Sequence, residues 1–173
     1  LASRNVLLDS QDNPKISDFG LGRSVEGDDY YRMSSETLLP LRWTDPAAVN
    51  TLTFTEATDV WAFGVTTIEV VTRGARPYGD WSNVRVLEEV QKGHRLARPE
   101  SMPLDVYEGV VLPCWISTES NSTTAPNSQQ RPSFTMLTAI LNDLRGVEDE
   151  SVTQGFRSTD SIKCDLSHES TIH

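Results

Sequence analysis

Residues 58–72, TDVWAFGVTTIEVVT, constrain this chain more than any other stretch, because Val60, Trp61, Phe63, Val65, Ile68, Val70 and Val71 are all apolar. At helical spacing these positions cover most of the circumference, and a helix apolar nearly all round has to be enclosed by other elements. Fifteen residues fall short of the roughly 20 that span a bilayer, so the enclosure must be protein. The rest of the chain offers the material. Ser82 can cap a helix with Val84, Leu87 and Val90 on one face, ended by Gly93. Residues 104–112 carry Val106, Val110 and Val111, and Pro132 stands at the start of a helix with Phe134, Leu137, Ile140, Leu141 and Leu144 at helical spacing. Pro113, read as lying inside the apolar helix that residues 104–112 begin, costs roughly 3 kcal/mol unless the helix bends there. The expected core is mainly helical.

Two short runs, Val6-Leu7-Leu8 and Lys15-Ile16-Ser17, flank the turn formers Asp9-Ser10-Gln11-Asp12-Asn13-Pro14 and predict a small hairpin. Residues 18–43 hold no period and read as one long loop, which in a compact domain is usually functional. Residues 117–130 and 146–173 are Ser-, Thr- and acid-rich with few large apolar side chains, a composition that predicts disorder. A net charge of −10 repels a phosphate backbone, and no local basic patch offsets it, so nucleic acid is excluded as a partner. Cys114 and Cys164 form neither a disulfide framework nor a zinc spacing. Asn121-Ser122-Thr123 is read as an incidental glycosylation triplet.

The chemistry starts at Asp18-Phe19-Gly20, which follows a predicted strand and opens the long loop. A carboxylate there can hold magnesium, but the triplet alone has little specificity. Asn5 adds weight: it lies thirteen residues earlier, across the hairpin, so the two oxygen donors start from the same end of it. Leu1-Ala2-Ser3-Arg4-Asn5-Val6-Leu7-Leu8 then resembles the end of the protein kinase catalytic loop, and Asp18-Phe19-Gly20 the magnesium-binding motif of that family. The resemblance implies that Asn5 and Asp18 hold the magnesium that bridges ATP phosphates. Arg4, one before the Asn, is similar to the tyrosine-specific form of the loop and would help to position the substrate hydroxyl. Leu38-Leu39-Pro40-Leu41-Arg42-Trp43 resembles the tyrosine-kinase substrate segment, making Leu39, Pro40 and Leu41 candidate substrate-binding residues.

Further landmarks follow in order. Asp28-Asp29-Tyr30-Tyr31-Arg32 resembles an autophosphorylation pair, with phosphate expected on Tyr30 and Tyr31. Thr58-Asp59-Val60-Trp61-Ala62-Phe63-Gly64 is similar to the buried central helix, whose Asp, here Asp59, accepts hydrogen bonds from the catalytic loop. Arg76-Pro77-Tyr78, Leu112-Pro113-Cys114-Trp115 and Gln130-Arg131-Pro132-Ser133-Phe134 match as well, and residues 78–83 resemble the Eph-receptor branch. Asp45-Pro46-Ala47 departs from the family, which writes Ala-Pro-Glu and pairs that Glu with the Arg at position 131. Two departures on one segment suggest a relocated carboxylate, so Asp45, or failing that another Asp or Glu, is expected within about 4 Å of Arg131.

The resemblance implies a mainly α fold, the C-terminal lobe of a protein tyrosine kinase with its small β-hairpin and without the N-terminal lobe. Its expected extent is residues 1–145, with an activation segment at 18–47 and an insertion at 117–130, followed by the tail 146–173. The implied function is transfer of the ATP γ-phosphoryl group to protein tyrosine, with ATP and Mg2+ as cofactors and tyrosine-bearing proteins as substrates. The chain lacks the His-Arg-Asp triplet expected before Leu1, so this piece alone is expected to be inactive and its record to be incomplete at the start. The receptor type is favoured, as the cytoplasmic domain of a dimeric plasma-membrane receptor. A cytosolic kinase or a non-catalytic docking module stands as the alternative.

Overall fold

The computed structural model describes residues 1–19, 31–32, 39–117 and 131–159, with the backbone alone at 31–32 and 147–159. The chain enters through a single 3-10 turn, Ser3–Asn5, into strand β1 (Val6–Leu8), which pairs antiparallel with β2 (Pro14–Ile16) in the register Val6 opposite Ile16. This is the hairpin expected from the two short runs. Asp9 closes its turn, accepting from the backbone N–H of Gln11 and Asn13, each at 2.9 Å. The backbone of Tyr31–Arg32 forms β3 and pairs with β4 (Thr53–Phe54). A two-residue strand has no period to read, so the expectation of unbroken loop over 18–43 missed it.

Helix α1 (Pro46–Thr51) was also not foreseen, although its signal is plain in hindsight. Asp45 accepts from the Ala47 N–H at 3.0 Å as N-cap, and Pro46 starts the helix where its missing N–H costs nothing. Helix α2 (Glu56–Val71) is the central helix. It begins with Thr55 donating its N–H to the Thr58 hydroxyl at 3.1 Å, and it buries Val60, Trp61, Val65 and Ile68, while Val70 at its far end is exposed. Val86 and Val90 of α3 (Asn83–Gln91), Met102, Val110, Val111, Cys114, Trp115 and Leu137 complete the core around it. Ser82 caps α3 by accepting from Arg85 N–H at 3.2 Å.

Gly64 shows how closely this core is packed. A Cβ built on it would stand 2.8 Å from Cys114 Cβ and 2.8 Å from Trp115 Nε1, so α2 and the 112–115 turn meet only because the side chain is absent. Gly64→Ala is therefore expected to destabilise the domain by about 1–3 kcal/mol through overpacking. A thermal melt of the variant indistinguishable from the parent would show that the two elements can separate at no cost.

Pro113 corrects the expected continuous helix over 104–112. A short α4 (Leu104–Val106) passes into a π-helical turn, Tyr107–Val111, and then into a 3-10 turn, Leu112–Trp115, with Pro113 in its first turn. There the missing N–H needs no partner, so the change of helix type takes the place of a bend. Val110 and Val111 both become buried as a result.

Helix α5 (Phe134–Thr159) starts two residues after Pro132, because the Ser133 hydroxyl caps it by accepting from Met136 N–H at 3.3 Å. It also runs into the segment 146–173 that composition marks as disordered. Extending an existing helix adds one hydrogen bond per residue ordered, so polar composition alone does not stop it. Residues 160–173 and most of the expected insertion, 118–130, lie outside the described residues. Among the described residues no helix is long and apolar enough to cross a membrane.

Candidate active site

The hairpin brings Asn5 and Asp18 to one end, as their spacing predicts. Ser17 donates both its N–H (2.7 Å) and its hydroxyl (3.1 Å) to the Asn5 carbonyl, tying the residue before Asp18 to the end of the 3-10 turn. Asp18 has φ +59°, in the left-handed region that an L side chain adopts at a cost of about 1–3 kcal/mol, and such strain concentrates at functional positions. An amide oxygen and a carboxylate on adjacent backbone suit a hard cation that takes its remaining ligands from water and phosphate, so the donor set fits magnesium. Among the described residues no group of three or more His, Cys, Asp or Glu assembles elsewhere to hold a metal.

Arg4, on the same 3-10 turn, lays its guanidinium 4.6 Å from the ring centroid of Trp43, at the end of the Leu39-Pro40-Leu41 segment. That segment is held by its own turns: the Pro40 carbonyl accepts from Trp43 N–H at 2.9 Å and from the Thr44 hydroxyl at 3.1 Å. The side chain that anchors it was missed in the sequence. Arg42 is 4% exposed and donates to the carbonyls of Pro77 (2.6 Å), Gly79 (3.3 Å) and Trp81, and to Asn83 Oδ1 at 3.2 Å. Burial lowers its pKa, with Arg76 adding to the effect and Asp80 opposing it. Nothing local distinguishes such an Arg from a surface one, because its partners come from 35 and more residues away.

Asp45 and Arg131 meet in the interior. Arg131 Nη1 donates to Asp45 Oδ2 at 2.7 Å, with the side chains 1% and 4% exposed. Arg131 also donates to the carbonyls of Ala57 (2.5 Å) and Ile116 (2.8 and 3.2 Å) and lies 5.2 Å from the Trp61 ring centroid. The carboxylate expected near Arg131 is thus Asp45 itself. Its N-cap position turns the side chain back over α1, which an extended chain would not do.

Asp59 stands in the first turn of α2, its carboxyl raised above the usual range chiefly by desolvation. Tyr30 and the Tyr31 side chain lie outside the described residues; the Tyr31 backbone pairs with Phe54. Cys114 is buried, with its thiol pushed up to about 12 by desolvation, so it is protonated at physiological pH and is no nucleophile.

Asn5 and Asp18 at one end of the hairpin, with Arg4 stacked on Trp43, form an arrangement that sequence comparison assigns to a family. Residues 1–141 match the model of the protein tyrosine and serine/threonine kinase family, and the chain belongs to that family. It is 41% identical to the human tyrosine-protein kinase Srms over 142 residues, 82% of this chain and 27% of that protein. It is 37% identical to mouse Srms over 142 residues, and 43% identical to the NT-3 growth factor receptor of Sus scrofa over 115 residues, 66% of this chain and 14% of the receptor. The chain therefore spans about a quarter or less of the curated relatives it matches.

Proposed function

We propose that the protein containing this chain transfers the γ-phosphoryl group of ATP to tyrosine side chains of proteins, and that this chain is the C-terminal lobe of its kinase domain. One observation carries the reading: the hairpin joins Asn5 and Asp18 at one end while Arg4 reaches from the same turn to the substrate segment at Trp43. Magnesium held there supplies positive charge to the phosphates. Asn5 and Asp18 orient that charge, Arg4 borders the place of the substrate hydroxyl, and Leu39, Pro40 and Leu41 receive the residues around the tyrosine. Phosphate on Tyr30 and Tyr31 would regulate the segment through pairing with Arg side chains.

The protein is read as the cytoplasmic part of a dimeric plasma-membrane receptor. The paired loop tyrosines and the likeness to a growth factor receptor support this, and the likeness to Srms keeps a cytosolic kinase as the alternative. A docking module without catalysis stands as the second alternative; the carboxylate of Asp45 on Arg131, in place of the Glu that the family carries at position 47, supports the catalytic reading over it.

The test is transfer from labelled ATP with magnesium to two peptides that differ only in Tyr against Ser, using the full-length protein. Label on the tyrosine peptide alone is expected. No transfer to either peptide would turn the reading to the docking module, and label on serine would overturn the substrate class.

A further inference from the structure

Glu69 is the one carboxylate in the last turn of α2, and it is 7% exposed. A charge buried in an otherwise apolar helix is costly unless it is paired or hydrogen-bonded, so its partners show what it is for. Both reach the same oxygen. Ser3 donates its backbone N–H to Glu69 Oε2 at 2.9 Å, and Trp43 donates its indole Nε1–H to that atom at 3.0 Å. Ser3 opens the 3-10 turn that carries Arg4 and Asn5, whereas Trp43 closes the Leu39-Pro40-Leu41 segment. Arg4 completes the circuit with its guanidinium 4.6 Å from the Trp43 ring. The turn and the substrate segment, far apart in sequence, are thereby located against each other through one oxygen of the central helix.

We infer that Glu69 is a positioning residue that sets the distance between the catalytic loop and the substrate segment, and so governs transfer to peptide rather than handling of the nucleotide. The inference rests on the kinase reading above. Asn5 and Asp18 are linked to each other through Ser17 instead, so losing the Glu69 bonds leaves the magnesium donors in place.

The experiment compares Glu69→Gln and Trp43→Phe in the full-length protein with the parent and with Asp18→Ala. Gln keeps the size of Glu69 but loses the charge that two donors share, and Phe keeps the ring face for Arg4 but loses the N–H. The readouts are kcat/KM for a tyrosine peptide, KM for ATP, and ATP hydrolysis without peptide. Both variants are expected to lower peptide kcat/KM roughly tenfold, the scale of one charge-assisted hydrogen bond, with ATP KM and peptide-free hydrolysis within about twofold of the parent. If both activities fall in parallel, or neither falls, Glu69 is structural and the inference is overturned. Should Glu69→Gln fail to fold, Trp43→Phe decides by the same comparison. Peptide transfer that survives Asp18→Ala would instead overturn the kinase reading beneath it.

Discussion

Asp45→Ala is expected to destabilise the kinase domain by about 3–5 kcal/mol, because removing one partner of a buried ion pair leaves the other charge without compensation. Arg131 would keep its carbonyl partners at Ala57 and Ile116 but would have no negative charge within reach of Nη1. The same substitution removes the N-cap of α1, adding roughly 1 kcal/mol to the loss. Asp45→Asn separates the two effects, since its amide oxygen can still cap Ala47 while the charge is gone. It should fall between Asp45→Ala and the parent. At roughly 2–4 °C per kcal/mol the alanine variant should melt about 10 °C lower. Adding Ala47→Glu to Asp45→Ala should recover part of this, because the resemblance implies a carboxylate at that position in the family. A melt of Asp45→Ala within about 2 °C of the parent would mean that Arg131 does not depend on the pair.

Asp18→Ala in the full-length protein is expected to lower kcat for tyrosine phosphorylation at least about 1,000-fold, the scale seen when preorganised charge stabilisation is removed from a transition state. The carboxylate is the only anionic member of the proposed donor set, and Asn5 alone offers a neutral oxygen. Folding should be spared, because Asp18 is exposed at the end of the hairpin. Unchanged thermal stability beside collapsed transfer is thus the expected pattern. The left-handed backbone at φ +59° adds a second arm. Asp18→Gly should be at least as stable as Asp18→Ala, since glycine takes that conformation without strain, and equally inactive. Magnesium-dependent transfer within tenfold of the parent in both variants would remove Asp18 from the metal site.

The helical core, the hairpin, and the order of Asn5, Asp18 and Trp43 along the chain were legible in the sequence because they rest on local rules. Apolar spacing selects the helix period, turn formers select the hairpin, and a hairpin of given length returns its ends to one place whatever surrounds it. The pairing of Asp45 with Arg131 was legible for another reason: two departures on one segment imply that a buried guanidinium has found a new partner. Pro113 and α1 were harder to read, since a proline marks a break without saying whether the chain bends, changes helix type or starts anew. Neighbouring packing decides among these. Only the tertiary structure could show Arg42 in its carbonyl cage, or Glu69 joining Ser3 to Trp43, because their partners lie 26 to 66 residues away. An isolated charge in a sequence carries no record of what will be folded against it. Local periodicity therefore determined the main helices and turn formers the hairpin, and long-range burial of polar groups decided how the two halves of the candidate site are held together.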